Sequence, residues 1–329
     1  MQNPAPPGFF MQPRADSVST CTSLSYNLQL TDQTGGTLPS SLADHTDDMS
    51  TSQTDGFFAP PDHPASPPST DNGTAMPIDE IWKALVNDQL VPYFQPIVDI
   101  QTRRVVGAEA LARWRHPALG VLSPITFVPV MEERGMIREL TELILEKTLY
   151  ACRDWLDQGF ALNVSINLSA QLLADPQLTA HLSQKTRLAG LKPANLTLEF
   201  SENTLRQHWS VADGQLATLR QAGFGVMVDE FGIGVGLTDK LKASHFSGLK
   251  IDRAFVHGAG DNQHLRAILG EALALGKAEG LQTIGMGVED AADLSVLSEL
   301  GCQSVQGYIC SAPLPATGLI PWISSWEKR

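Results

Sequence analysis

Val91-Pro92-Tyr93-Phe94-Gln95-Pro96-Ile97-Val98-Asp99 and Val105-Val106-Gly107-Ala108-Glu109-Ala110-Leu111-Ala112-Arg113-Trp114 read as two β-strands joined only by Ile100 to Arg104. A crossover between parallel neighbours needs about a dozen residues or more, so this short connection predicts a first strand antiparallel to the second. Six more strands are expected at Leu162-Leu168, Leu196-Phe200, Gly225-Asp229, Gly248-Ile251, Leu281-Gly285 and Ser304-Ile309. Most of the gaps between them have helical spacing. Ile137 to Leu156 puts Ile137, Leu140, Ile144, Leu145 and Leu149 on one face. Asp261 to Ala278 does the same with Leu265, Ile268, Leu269, Ala272 and Leu275, and Gly280 is available as a terminator. Eight strands with intervening helices in roughly 250 residues predict an α/β fold, a closed (β/α)8 TIM-like barrel with an antiparallel first strand.

The composition divides the chain. Residues 1–77 hold 11 of the 21 prolines, eight Asp, no Glu and one basic residue, Arg14. Such a Pro/Ser/Thr/Asp-rich stretch has too little periodic apolar surface to offset its ordering entropy and is expected to be a disordered tail. Neither its length nor its composition suits a cyclase, response-regulator or other sensory domain. Residues 78–329 are expected to form the barrel domain. Of the formal charge of -13, the tail carries -7 and the barrel -6, which speaks against non-specific DNA binding. Met1 to Phe10 lacks the basic start and apolar run of a signal peptide, and no apolar stretch approaches the roughly 18 residues of a membrane span. Cys21, Cys152, Cys302 and Cys310 show no CxxC pairing and fit a reducing cytosol. The expectation is a cytoplasmic chain without membrane insertion.

Polar residues recur near the carboxyl ends of the expected strands, where a barrel carries its active site. Glu109 and Arg113 lie on the second strand, and Asn167 and Glu199 end the third and fourth. Asp229-Glu230 end the fifth, Lys250 and Asp252 the sixth, Glu289 follows the seventh and Gln306 sits on the eighth. One such carboxylate is an ordinary solvated strand end or helix cap. Acids and amides at most successive strand ends suggest a hard-metal site for Mg2+ or Mn2+, and two such ions can clamp a phosphodiester and activate water.

The segments Tyr93 to Asp99, Glu109-Ala110-Leu111-Ala112-Arg113-Trp114, His116-Pro117, Asn167-Leu168-Ser169, Asp229-Glu230-Phe231-Gly232, Leu249-Lys250-Ile251-Asp252-Arg253 and Gln306-Gly307-Tyr308 closely resemble the EAL family of cyclic di-GMP phosphodiesterases. The resemblance covers about residues 80–325, in order. It implies a barrel with an antiparallel first strand and metal-assisted hydrolysis of cyclic di-GMP to linear pGpG. By resemblance, Glu109, Asn167, Glu199 and Asp229 match first-metal ligands, and Asp229 also reaches the second ion. Lys250 matches the lysine that orients the attacking water. Asp252 and Glu289 match further acids of the metal site, while Gln95, Leu111, Arg113 and Gln306 match residues that hold the dinucleotide.

Three departures surround one catalytic step. The family usually has Ala-Glu-Gly-Val-Glu on strand seven, the first Glu being the proposed general base, whereas this chain has Gly285-Met286-Gly287-Val288-Glu289. A thioether accepts no proton, and losing a general base costs roughly 10²- to 10⁴-fold in rate. The family's Asp-Asp pair is Asp229-Glu230 here. The extra methylene displaces the second carboxylate by about 1 Å or more from where an octahedral ion wants it. The loop usually reading Phe-Gly-Thr-Gly-Tyr-Ser-Ser-Leu is Phe231-Gly232-Ile233-Gly234-Val235-Gly236-Leu237-Thr238, without the hydroxyls that hold the acids in place. In active relatives that loop couples dimerisation to metal binding.

The expectation is a cyclic di-GMP receptor that has lost hydrolysis, acting through an unidentified protein partner or as a homodimer. Lys250 is left without a reaction to serve, and Glu230 and Glu289 are weakened as metal ligands. Two alternatives stand beside it: a weak phosphodiesterase with Glu289 or Glu230 as base, and an interaction module that has given up the nucleotide.

Overall fold

A computed structural model describes residues 76–232, 237–242 and 245–328. The expected tail lies almost wholly outside the described residues, as do Cys21 and the altered loop at 233–236. The described chain runs α1 (Ile78–Val86), β1 (Leu90–Asp99), β2 (Val105–His116), β3 (Gly120–Leu122), α2 (Val128–Glu133), α3 (Ile137–Asp157), β4 (Val164–Asn167), α4 (Leu178–Leu188), β5 (Leu196–Ser201) and α5 (Glu202–Gln221). It continues with β6 (Gly225–Phe231), β7 (Gly248–Ile251), α6 (Arg253–Val256), α7 (Gln263–Ala278), β8 (Gln282–Met286), α8 (Ala291–Glu299), β9 (Ser304–Gln306), β10 (Leu314–Pro315) and α9 (Ala316–Trp326).

Eight strands close the barrel in the order β1-β9-β8-β7-β6-β5-β4-β2, and β2 pairs back onto β1. β1 is antiparallel to both β2 and β9, and the other pairings around the ring are parallel. Ile100 to Arg104 therefore makes the tight reversal that its length demanded, with Arg103 N–H donating to Asp99 O at 2.9 Å. The eight expected strands are the eight of the ring. Two short ones were not expected: β3 extends β2 by three pairs, and β10 adds two residues to β1. Segments of two or three residues carry no periodicity to read.

Side chains pointing out of the barrel meet the inward stripes of the helices. Leu145, Leu149, Cys152 and Trp155 of α3 are buried in the main core beside Phe94, Val164 and Ile166. Trp155 meets Phe94 edge-on at 4.7 Å and donates from Nε1 to Ala316 O at 3.2 Å, which ties α3 to α9. Leu269 and Ala272 of α7 join the same core, and Gly280, at φ +65°, ends that helix as expected. A second cluster seats α1 and α2 against β2 through Ile81, Trp114, Phe127 and Met131. Cys152, Cys302 and Cys310 are buried free thiols, and no described helix is long and apolar enough to cross a membrane.

Trp155→Ala should lower unfolding free energy by about 3–5 kcal/mol in a denaturant titration, because it removes a buried ring and its hydrogen bond. Tyr150→Ala on the same helix, at a residue 80% exposed, should stay within about 0.5 kcal/mol of the parent. Equal losses would contradict this packing.

Candidate functional site

Alternation along a strand sends every second residue into the barrel, and the parallel register aligns those residues from strand to strand. Glu199 faces Asn167 across β4 and β5, and Met286 faces Gln306 across β8 and β9. Gln95 lies directly opposite Glu109 on the antiparallel pair. The register of β6 with β7 shifts between Val228 and Phe231, so Asp229-Glu230 sit on an irregularity that re-aims their side chains. Glu230 there has φ +55°, a left-handed conformation that Asp or Asn adopts more readily than Glu and that costs of order 1 kcal/mol.

The inward residues converge on Lys250, whose side chain is fully buried. Its Nζ donates to Glu109 Oε2 and to Glu199 Oε2, each at 2.7 Å, and lies 3.7 Å from Asp229 Oδ1. Glu109 accepts further bonds from Asn167 Nδ2 at 2.6 Å and Gln306 Nε2 at 2.7 Å. Gln306 Nε2 also donates to Gln95 Oε1 at 3.1 Å, and Gln95 Nε2 to Ser311 O at 3.1 Å. Two oxygens in the cluster are left over: Glu199 Oε1 and Gln306 Oε1 are buried with no partner.

The electrostatics follow from this crowding. Burial alone would raise the Glu109 carboxyl, but the charge and hydrogen bond of Lys250, with those of Gln306 and Asn167, hold it below its ordinary value. Glu199 has the charge and hydrogen bond of Lys250 but no bond from Gln306 or Asn167. Burial first, then the charge of Glu109, push it up to about 8. Asp229 is raised by burial and by Glu109 against the pull of Lys250. Burial would lower Lys250, yet the surrounding Asp229, Glu109 and Glu199 carry it well above its usual range. Glu230 is raised by burial and by neighbouring Asp229 and Asp252.

Above this layer opens a cleft of about 770 Å3. Of the residues singled out in the sequence, Gln95, Glu109, Leu111, Arg113, Asn167, Glu199, Asp229, Glu230, Asp252, Met286, Glu289 and Gln306 all line it, while Lys250 lies buried beneath. The acids are not equivalent. Oxygens of Glu109, Glu199 and Asp229 lie within 4.8 Å of one another, whereas Glu289 is engaged by Arg253 Nη1 at 3.0 Å. Asp252 caps α6, accepting from Ala254 N–H at 2.7 Å. Arg113 is half-buried, its guanidinium pulled down from its ordinary value chiefly by burial, and its Nη1 donates to Ala112 O at 2.8 Å.

Ser201 and Thr204, with Pro124 and Val128 of the apolar flank, were not among the expected site residues, and Arg253 stood in a quoted motif without a role. The Arg253–Glu289 pair had a usable signal, since both residues follow the carboxyl ends of adjacent parallel strands. Ile137, Leu140 and Ile144 were assigned to core packing, and they also wall the cleft.

The residues present fit a divalent cation. The orphaned Glu199 oxygen, beside carboxylates of Glu109 and Asp229, forms the all-oxygen set that Mg2+ or Mn2+ prefers. Glu109, Asn167, Glu199 and Asp229 would hold such an ion, which would supply Lewis-acid polarisation of a phosphoryl oxygen. Lys250 fixes Glu109 and Glu199 in place by hydrogen bonds.

A carboxyl whose folded pKa lies above its unfolded value contributes stability that is complete below the unfolded value and lost as pH rises through the folded one. For Glu199 that window runs from the ordinary 4.5 to about 8. In chelator the melting temperature should therefore fall between about pH 5 and about pH 8.5, by on the order of 5 °C, and Glu199→Gln should flatten the slope. Stabilisation by added Mn2+ should grow over the same interval, because an ion competes with the Glu199 proton. Parallel pH profiles for parent and variant would contradict the assignment.

Residues 78–313 match the EAL domain family. The chain is 35% identical over 247 residues, 74% of its length, to the bifunctional diguanylate cyclase/cyclic di-GMP phosphodiesterase MucR of Pseudomonas aeruginosa, covering 36% of that protein. It is 30% identical over 247 residues to the cyclic di-GMP phosphodiesterase RocR of the same organism, covering 75% of this chain and 63% of RocR. It thus spans about a third of the length of MucR and less than two thirds of RocR. The solved PaMucR phosphodiesterase in complex with c-di-GMP superposes with a TM-score of 0.70 at 34% identity, over 74% of this chain and 98% of that one. By its matched sequence, its closed barrel and its antiparallel first strand, this chain belongs to the EAL domain family.

Proposed function

We propose that this chain is a cyclic di-GMP receptor in which recognition is kept and hydrolysis is lost. The observation that carries this reading is Met286. It ends β8, faces Gln306 and lines the cleft beside Glu109, Glu199 and Asp229, at the position where the family resemblance calls for a general base. The sulfur cannot take a proton from water. Glu289 cannot step in without giving up Arg253. Met286 leaves the cleft with the means to hold a phosphodiester and without the family's means of activating its attacker.

Recognition has support of its own. Arg113 presents a half-buried guanidinium to the cleft, where charge-assisted bonds to a phosphate oxygen are strong. Gln95 and Gln306 brace each other, and Gln306 Oε1 is buried without a partner, so an acceptor is in place for a ligand donor. A cation held by Glu109, Asn167, Glu199 and Asp229 is not required for this binding, because Lys250 already balances part of the acid charge. Residues 1–77 are proposed as a tail that tethers the barrel or engages a protein partner.

One observation favours a second reading, weak hydrolysis with Glu230 as base. Glu230 lines the cleft, and burial with the charges of Asp229 and Asp252 raises its pKa, which makes it a stronger proton acceptor than an ordinary carboxylate. Mn2+-dependent release of pGpG that is abolished by Glu230→Gln would favour it.

Calorimetric titration with cyclic di-GMP should give a Kd of about 1 μM or tighter with or without Mg2+. Arg113→Ala should weaken binding by about tenfold or more. Unchanged affinity in Arg113→Ala would contradict the receptor reading, and absence of binding by the parent would leave the interaction module. Met286→Glu alone should restore little turnover, since residues acting as a unit do not contribute additively and the Glu230 displacement persists. Rescue to rates typical of enzymes, about 1 s⁻¹ or more, would show that Met286 was the sole defect.

A further inference from the structure

The amino-terminal mouth of the barrel contains a second cavity, of about 350 Å3, that shares no lining residue with the cleft. Its wall comes from the beginnings of the parallel strands, where Asn163, Thr197, Gly225, Ser247 and Gln282 sit. The space is built into the chain. A Cβ at Gly225 would lie 2.2 Å from Thr197 Oγ1, so that close approach keeps a side chain out of the opening. Its ceiling is Ile97, Met227 and Ile284, a separate buried apolar cluster inside the barrel that stands between this cavity and the acid layer.

Two side chains that line this cavity each carry a polar atom with unmet bonding capacity. Ser165 is 2% exposed, and its Oγ has no partner. Arg220 Nη1 donates to Phe224 O at 2.7 Å, while its Nε is buried with no partner. Other polar groups of the wall are engaged, with Thr197 Oγ1 donating to Asn163 Oδ1 at 2.9 Å and Ser247 Oγ to Val226 O at 2.9 Å. Among the described lining residues Arg220 is the one charged side chain, and no carboxylate offsets it. A buried hydroxyl without a partner and a guanidinium with one N–H unmet cost free energy unless something supplies acceptors. The volume exceeds several-fold the roughly 30 Å3 share of one water and reaches the lower bound of small-ligand pockets.

We infer that this mouth is a second ligand site, for a small organic anion whose carboxylate or phosphate head meets Arg220 and Ser165 and whose apolar body rests against Met227 and Ile284. The site lies directly under the cleft. Ser165, Thr197, Met227 and Ile284 each precede a cleft residue by two on the same strand, namely Asn167, Glu199, Asp229 and Met286. An occupant would therefore touch the strands that position the acid layer, without entering it.

The two chambers each contain a methionine, which gives a direct test. In the full chain labelled with [13C-methyl]methionine, benzoate should shift the Met227 resonance saturably and leave Met286 in place, whereas cyclic di-GMP should move Met286. Benzamide, of the same shape without charge, should bind at least about fivefold more weakly than benzoate. Inorganic phosphate, which has the head without the body, should also bind more weakly. Arg220→Gln should weaken benzoate binding by about fivefold or more and leave the cyclic di-GMP titration unchanged. Ser165→Ala, which alters no charge, should weaken it less. An unmoved Met227 resonance up to the solubility limit of benzoate would overturn the inference, as would equal binding of benzoate and benzamide. Because Met286 reports on the nucleotide separately, failure of the receptor reading would register there and not at Met227.

Discussion

The architecture of the site depends on one buried ammonium. Lys250 is fully enclosed and bridges Glu109 and Glu199 at 2.7 Å each, with Asp229 at 3.7 Å. Three carboxylates brought this close inside a barrel would repel one another and could not all ionise. The lysine charge makes the arrangement tolerable, and its hydrogen bonds set the direction in which each acid points. Removing one partner of such a buried group typically costs about 3–5 kcal/mol, since the others are left uncompensated. The strands deliver these residues, but the ammonium permits them to coexist. Glu109, with Lys250, Asn167 and Gln306 all donating to it, is the anchored member, and Glu199, with one oxygen orphaned, is the one left open to a proton or a cation.

The departures around that cluster have consistent physical effects. Met286 places an apolar, non-basic side chain at the end of β8. Glu230 is held at positive φ on the irregular end of β6, with its carboxyl raised by burial and then by Asp229 and Asp252. Glu289 is drawn into an ion pair with Arg253. Each change bears on proton transfer or on the outer acids. The groups proposed to hold a phosphate and guanine bases, Arg113, Gln95 and Gln306, remain disposed around the cleft. Loss of a base lowers the rate of one step, while the binding contacts made elsewhere on a ligand persist.

Most of the barrel could be read from the sequence because its signals are local. The five-residue Ile100 to Arg104 link fixed the direction of β1, and the stripe from Leu140 through Leu149 marked α3. β3 and β10 escaped because pairing in so short a segment is decided by the neighbouring strand and not by its own pattern. At the site, the residues named in advance at the strand ends all reach the cleft or its floor, since a parallel barrel sends successive strand ends to one mouth. Their separate roles could not be read this way. Nothing in the order of residues says that Lys250 would donate to Glu109 and Glu199 together. Those are distances between strands far apart in the chain. The lower cavity was equally hidden, because Ser165 and Arg220 look like ordinary polar residues until the fold buries Ser165 Oγ and Arg220 Nε without partners.

Recognition that outlives chemistry is tested most directly by a single-turnover incubation. Chain in excess over cyclic di-GMP, with saturating Mn2+, is sampled over many hours and the nucleotides are separated. Recovery of the dinucleotide as an intact ring, bound to the protein throughout, is the outcome expected from Met286. Quantitative appearance of pGpG within minutes would contradict it and would place a working base elsewhere in the cleft.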